Sequence, residues 1–139
     1  MSDFNARIIE EFRANEGVVG GPFAGAPMVL LTTTGARSGE PRVSPLVCST
    51  GEDGTLYVFG SKAGATTHPA WFHNLKADPR VTVEFGSERF DAVADEITGE
   101  ERDAIFARQA VRMPQFAEYE QKAAGRTIPV VALRRSDLR

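Results

Sequence analysis

Two short loops carry residue types that can hold an anion. Thr32-Thr33-Thr34-Gly35-Ala36-Arg37-Ser38-Gly39-Glu40-Pro41-Arg42 ends an apolar stretch in hydroxyls, turns through two glycines and returns with two arginines. Glycines let backbone N–H groups point into one concavity, and guanidinium forks match phosphate oxygens in pairs. Gly60-Ser61-Lys62-Ala63-Gly64 places a lysine in a glycine-rich loop ahead of a helical segment, which is a second anion-binding arrangement. Each loop also has a plain reading, a solvated tip with surface cations, and on spacing alone that reading of the first loop is slightly favoured. The first loop is neither G-x-x-x-x-G-K-[ST] nor G-x-G-x-x-G, so it matches no nucleotide fingerprint.

Other reactive side chains point elsewhere. In His68-Pro69-Ala70-Trp71-Phe72-His73-Asn74-Leu75 the two histidines are five apart and do not share a helix face well, so no metal pair is expected. Trp71 and Leu75 fall on one face and read as core, while the Asn74 amide could orient a loop by hydrogen bonds. Cys48 is the one cysteine of the chain, which excludes an internal disulfide and a cysteine metal cage. It lies mid-strand with no histidine near it in sequence, and reads as a small packing residue rather than a nucleophile.

These residues need a scaffold, and 139 residues favour one domain, with a core that needs no staples. Hydrophobic residues make up 42% and charged residues 25%, ordinary values for a globular chain. A net charge of −3 argues against a general nucleic-acid binder. The single cysteine fits a reducing cytoplasm. The N-terminus MSDFNARIIEEF lacks a signal-peptide core, and the longest aliphatic runs are far too short to cross a bilayer.

Periodicity predicts the elements. A first helix, capped by Ser2, runs to about Ala14 with Phe4, Ile8 and Phe12 on one face. Residues 17–27, rich in Gly and Pro, form a loop. Strands are expected over 28–34, 42–49 and 55–59, the second with Pro45 as a mark of an edge or a bulge. The three make an antiparallel meander, in which the first and third strands run the same way and send their following loops to one edge. A helix over 68–77 is stopped by Asp78-Pro79. Strands over 80–85 and 88–97 follow. Thr98-Gly99-Glu100-Glu101 reads as a capping box opening a helix to about Arg112. Pro114 breaks that helix and starts another, ended by Gly125, and residues 128–133 form the last strand. Six mostly antiparallel strands with inserted helices imply an α+β domain whose edges a closed or split barrel would hide, with residues 1–26 as N-terminal helix and loop and 27–134 as core. No regular β-α-β alternation supports a doubly wound sheet.

Three stretches in this order carry a resemblance: LLTTTGARSGEPRVSPL, YVFGSKAGATTHPAWFHNLKADPRVTVEF and RMPQFAEYEQKAAGRTIPVVAL. From about Gly20 to Leu133 the chain resembles the deazaflavin-dependent nitroreductases, the coenzyme F420-dependent reductases of actinobacteria. The resemblance implies a split β-barrel like that of flavin-binding oxidases. It implies that Arg37 and Arg42 meet the cofactor phosphate and acidic tail, with Thr34, Ser38 and Gly39 wrapping that region. Ser61, Lys62 and Gly64 match the segment along the deazaflavin and its ribityl chain. Trp71, Asn74 and Leu75 match the helix flanking the cofactor groove. Phe116, Tyr119 and Lys122 match an aromatic substrate wall. The family often has several tyrosines in that wall, where only Tyr119 remains here, and often has two adjacent basic residues after Gly35, where the first is now Ala36.

The implied reaction is hydride transfer from reduced F420 to an activated alkene, a quinone or a nitro-aromatic acceptor. Two readings of Tyr119 stand together: donor of a proton, directly or through a water, or an aromatic lid with no proton role. The alternatives for the whole protein are a flavin-mononucleotide (FMN) oxidoreductase on the same barrel, or a flavin or deazaflavin carrier without turnover. The N-terminal helix has two readings, a peripheral membrane contact or a cover over the site. Nothing in the sequence decides the oligomeric state.

Overall fold

The computed structural model describes residues 3–65, 67–123 and 125–136. Its strands are β1 (Met28–Thr34), β2 (Pro41–Thr50), β3 (Leu56–Phe59), β4 (Arg80–Phe85), β5 (Glu88–Ile97) and β6 (Val130–Arg135). Its α-helices are α1 (Asp3–Ala14), α2 (Ala70–Ala77), α3 (Gly99–Arg112) and α4 (Gln115–Lys122). The strands close into an antiparallel barrel in the order β1-β2-β3-β6-β5-β4. The expected meander is its first half. The last strand is inserted between β3 and β5.

β1 reads as a continuous apolar run because both of its faces are covered. Val29 and Leu31 enter the barrel interior with Val58, Val83, Val131 and Leu133. Met28 and Leu30 point outward and meet Ile8, Ile9 and Phe12 of α1. The apolar face of α1 is therefore occupied by the barrel wall. Ser2 and the Phe4 side chain, assigned to this helix from sequence, lie outside the described residues. A third cluster packs Ile105 and Phe106 of α3 and Phe116 of α4 against Phe59, Ile97 and Val130. None of the described helices is long and apolar enough to cross a membrane.

Strand lengths explain where the barrel parts. β2 has 10 residues and β3 has 4, and their pairing covers Cys48↔Val58 to Thr50↔Leu56. Residues 41–47 of β2 pair with β1 on one side and have no β3 partner on the other. Pro45, expected at an edge or bulge, lies in this unpartnered stretch, where a missing N–H disrupts no ladder toward β3.

Three local expectations shift. α2 starts at Ala70, with Pro69 at its N-cap instead of in its first turn. Thr98 does hold the N-cap of α3, but its hydroxyl makes no capping hydrogen bond. β6 starts at Val130 and runs on to Arg135, because β5 continues to offer partners as far as Ala92.

Candidate cofactor and acceptor site

β1 and β3 run in the same direction, so the loops after them leave the same end of the barrel. α2 connects that end to β4 and seals it with Trp71, Phe72 and Leu75, which join the interior cluster. The two basic loops thus share one rim, as the meander required.

The first loop is held from below by Asn74. Its buried Oδ1 accepts the Ala36 N–H at 3.0 Å, and its Nδ2 donates to Thr33 Oγ1 at 3.2 Å. Within the loop the Gly35 N–H donates to the Glu40 carbonyl and the Gly39 N–H to the Gly35 carbonyl. A Cβ on Gly35 would lie 2.5 Å from Ser38 Oγ, so the serine hydroxyl occupies the space the glycine leaves. Arg42 Nη2 donates to the same hydroxyl at 3.4 Å and stands 3.9 Å from the Glu40 carboxylate. Arg37 and Arg42 remain exposed at the tip.

The second loop is tighter. Lys62 has a φ of +46°, uncommon for a residue with a side chain, and its Nζ donates to Thr67 Oγ1 at 3.2 Å. Gly64 has a φ of +82°, and a Cβ there would lie 2.7 Å from Lys122 Cβ and 3.1 Å from Tyr119 Cα. The absence of that Cβ lets α4 lie directly on the loop. Arg126 reaches in from the far side and donates to the carbonyls of Gly60, Ser61 and Ala65. Its Nη1 also lies 2.9 Å from His68 Nδ1. Burial, then the nearby positive charge of Arg126, holds the His68 imidazole below its usual pKa.

Between the free stretch of β2, this loop, Trp71 and α4 lies a cavity of about 620 Å³. Ser61 and Lys62 line one side, Phe116 and Tyr119 another, and Ser44 to Val47 form its floor. Asn5 of α1 and Phe23 reach its margin. The Phe116 and Tyr119 rings are 5.4 Å apart, centroid to centroid, in an edge arrangement. Phe116 also meets Phe59 at 5.5 Å and is only 4% exposed, so it belongs to the core as well as to the cavity.

The structure brings together Ser61, Lys62, Trp71, Phe116 and Tyr119 around that cavity. Thr34 and Gly39 instead line a neighbouring groove of about 660 Å³ with Arg80 and Arg89. Leu75 is core, Gly64 is a contact point for α4, and Lys122 is exposed beside Gly64 without lining the cavity. Cys48 packs inside the barrel, and burial pushes its thiol pKa up to about 12. Sequence reasoning missed Met113 and Gln115, which line the cavity, and Arg126. From sequence Gly125 marks a helix stop, and Arg126 after it is a lone arginine in a loop, with no sign of reaching back to residues 60–68.

Residues 6–135 match the F420H2-dependent quinone reductase family. The chain is 36% identical over 128 residues to an F420H2-dependent quinone reductase of Mycobacterium tuberculosis, covering 89% of this chain and 85% of that protein. The solved F420H2-dependent reductase FDR-A is 40% identical with a TM-score of 0.69, over 78% of this chain and 94% of that one. A relative solved as a domain-swapped dimer is 37% identical with a TM-score of 0.71, over 93% and 96% of the two chains. The heme storage protein HutZ of Vibrio cholerae, 18% identical with a TM-score of 0.59 over 94% of this chain and 89% of that one, shares the fold alone. The residues present fit a phosphate-bearing deazaflavin: Lys62 lines an apolar-walled cavity of ligand size, and Arg37 and Arg42 stand exposed on the other basic loop. The chain belongs to the F420H2-dependent quinone reductase family, a reductase with coenzyme F420 as its cofactor.

Proposed function

We propose that the cavity beneath α4 is where this reductase delivers a hydride from reduced F420 to a quinone-type acceptor. The observation that carries the reading is that one apolar-walled cavity is bounded by the Ser61–Lys62 loop on one side and by Phe116 and Tyr119 on another. When bound, the cofactor supplies the hydride, and the protein supplies position, field and dryness. Arg37 and Arg42 take the phosphate and acidic tail, with Thr34, Ser38 and Gly39 shaping the loop around them. Ser61 and Lys62 would hold the ring system, with Trp71 beside them on the cavity wall. Phe116 and Tyr119 would flank the acceptor, and the Tyr119 hydroxyl would pass a proton to the acceptor oxygen. One hydride and one proton convert a quinone to a hydroquinone. Activated alkenes and nitro-aromatics are the other acceptors such a cavity would take.

α1 serves this site as a cover, since Asn5 stands at the cavity margin while Ile8, Ile9 and Phe12 hold the helix to the barrel. We place the protein in the cytoplasm on this reading, with no membrane role for α1. The test is turnover: purified protein with reduced F420 should reoxidise it fastest with a naphthoquinone, and more slowly with an enone or a nitro-aromatic. Binding of F420 without turnover of any quinone would remove the acceptor assignment.

A further inference from the structure

We infer that Arg126 is a positioning residue for the cofactor loop, fixing the backbone that presents Ser61 and Lys62. The inference rests on the reading that those two residues hold the cofactor. Arg126 donates from Nη1 to the Gly60 carbonyl at 2.9 Å and from Nη2 to the Ser61 carbonyl at 2.9 Å. From Nε and Nη2 it donates to the Ala65 carbonyl at 3.0 and 2.8 Å. Its Nη1 also meets His68 Nδ1 at 2.9 Å. One planar fork therefore ties the chain entering the turn to the chain leaving it. The residue between those ties is Lys62 in the left-handed region, a conformation that persists only where its surroundings over-determine it. The guanidinium sits partly buried, and its partners are carbonyls and a ring nitrogen rather than a carboxylate. It acts as a staple for backbone. A lysine there would keep the charge but could not span carbonyls on both arms of the turn.

The decisive variant is Arg126→Lys in the full chain, read in two independent ways. The Gly64 and Ala65 amides, which close the turn onto the Ser61 and Lys62 carbonyls, should exchange hydrogen about tenfold faster or more. The dissociation constant for F420, followed by fluorescence titration, should rise about tenfold while the Michaelis constant for the quinone stays put. Lys62→Ala should weaken F420 binding in the wild type and add little in the Arg126→Lys background, since the two share one loop. Arg126→Ala supplies a separate arm, in which added guanidinium ion at millimolar concentration should restore affinity. Wild-type F420 affinity in Arg126→Lys, or a folded Arg126→Ala that guanidinium fails to rescue, would overturn the inference. If Lys62→Ala alone binds F420 normally, the reading of the site falls, and amide exchange decides the staple by itself: unchanged exchange in Arg126→Lys overturns it.

Discussion

Arg42 holds one guanidinium nitrogen on Ser38 Oγ, yet its side chain is 57% exposed. Such a group binds a phosphate at modest desolvation cost and stays sensitive to salt. A charge-assisted hydrogen bond contributes about 1.5–3 kcal/mol, so Arg42→Ala should raise the F420 dissociation constant by about tenfold to a hundredfold. Rising ionic strength should weaken the wild type more than the variant with both Arg37 and Arg42 replaced by Ala. Normal binding by that double variant would put the phosphate elsewhere. Tyr119→Phe keeps the ring beside Phe116 and removes the hydroxyl. A proton-donating role predicts a fall in quinone turnover of about a hundredfold at unchanged F420 affinity, whereas a packing role predicts almost none. Phe116 calls for a milder change than alanine. Its packing on Phe59 and Phe106 means that Phe116→Ala would cost about 3–5 kcal/mol, so Phe116→Leu is the substitution that reads acceptor preference without unfolding the wall.

At the scale of elements, the site depends on two close fits. Asn74 on α2 satisfies both the Ala36 N–H and the Thr33 hydroxyl. Asn74→Ala leaves the buried Thr33 hydroxyl without this partner, at about 1–3 kcal/mol, frees the Ala36 N–H of the loop, and should lower Tm by on the order of 5–10 °C and weaken F420 binding together. A fall in Tm with F420 affinity intact would confine Asn74 to stability. Gly64 is where α4 meets the cofactor loop. Gly64→Ala places a Cβ against Lys122 and Tyr119 at a positive φ, and should destabilise by about 2–3 kcal/mol. Because the displaced helix carries Tyr119, the quinone Michaelis constant should rise more than the F420 dissociation constant does. The positions of strands and helices were legible from sequence because each carries a clear period and a marked stop, such as Asp78-Pro79 or Pro114. Both loops could be placed on one rim because a meander permits nothing else. What stayed hidden was non-local. The cavity exists because β3 stops short of β2, and its loop is tied by Arg126; neither fact has a local signature.

For the whole molecule, His68 is one group through which pH acts on stability. Its pKa in the fold lies below the usual 6.5, so the unfolded chain takes up the proton first. The stability this neutral imidazole contributes is complete above about pH 6.5 and is lost as pH falls toward the folded value. His68→Asn should therefore flatten part of the decline in Tm between neutral and mildly acid pH; an unchanged pH profile would assign that decline to other groups. The strand order has a consequence for how the protein is made. β6 is the last of the described strands, yet its place is between β3 and β5. A growing polypeptide on the ribosome therefore has the five other described strands available while the facing edges of β3 and β5 are still unpaired. Until residues 130–135 join the sheet, the edges of β3 and β5 stay exposed to mispairing. A chain cut short before residue 130 would be not a slightly shortened enzyme but an open sheet, ready to be claimed by a chaperone or a protease.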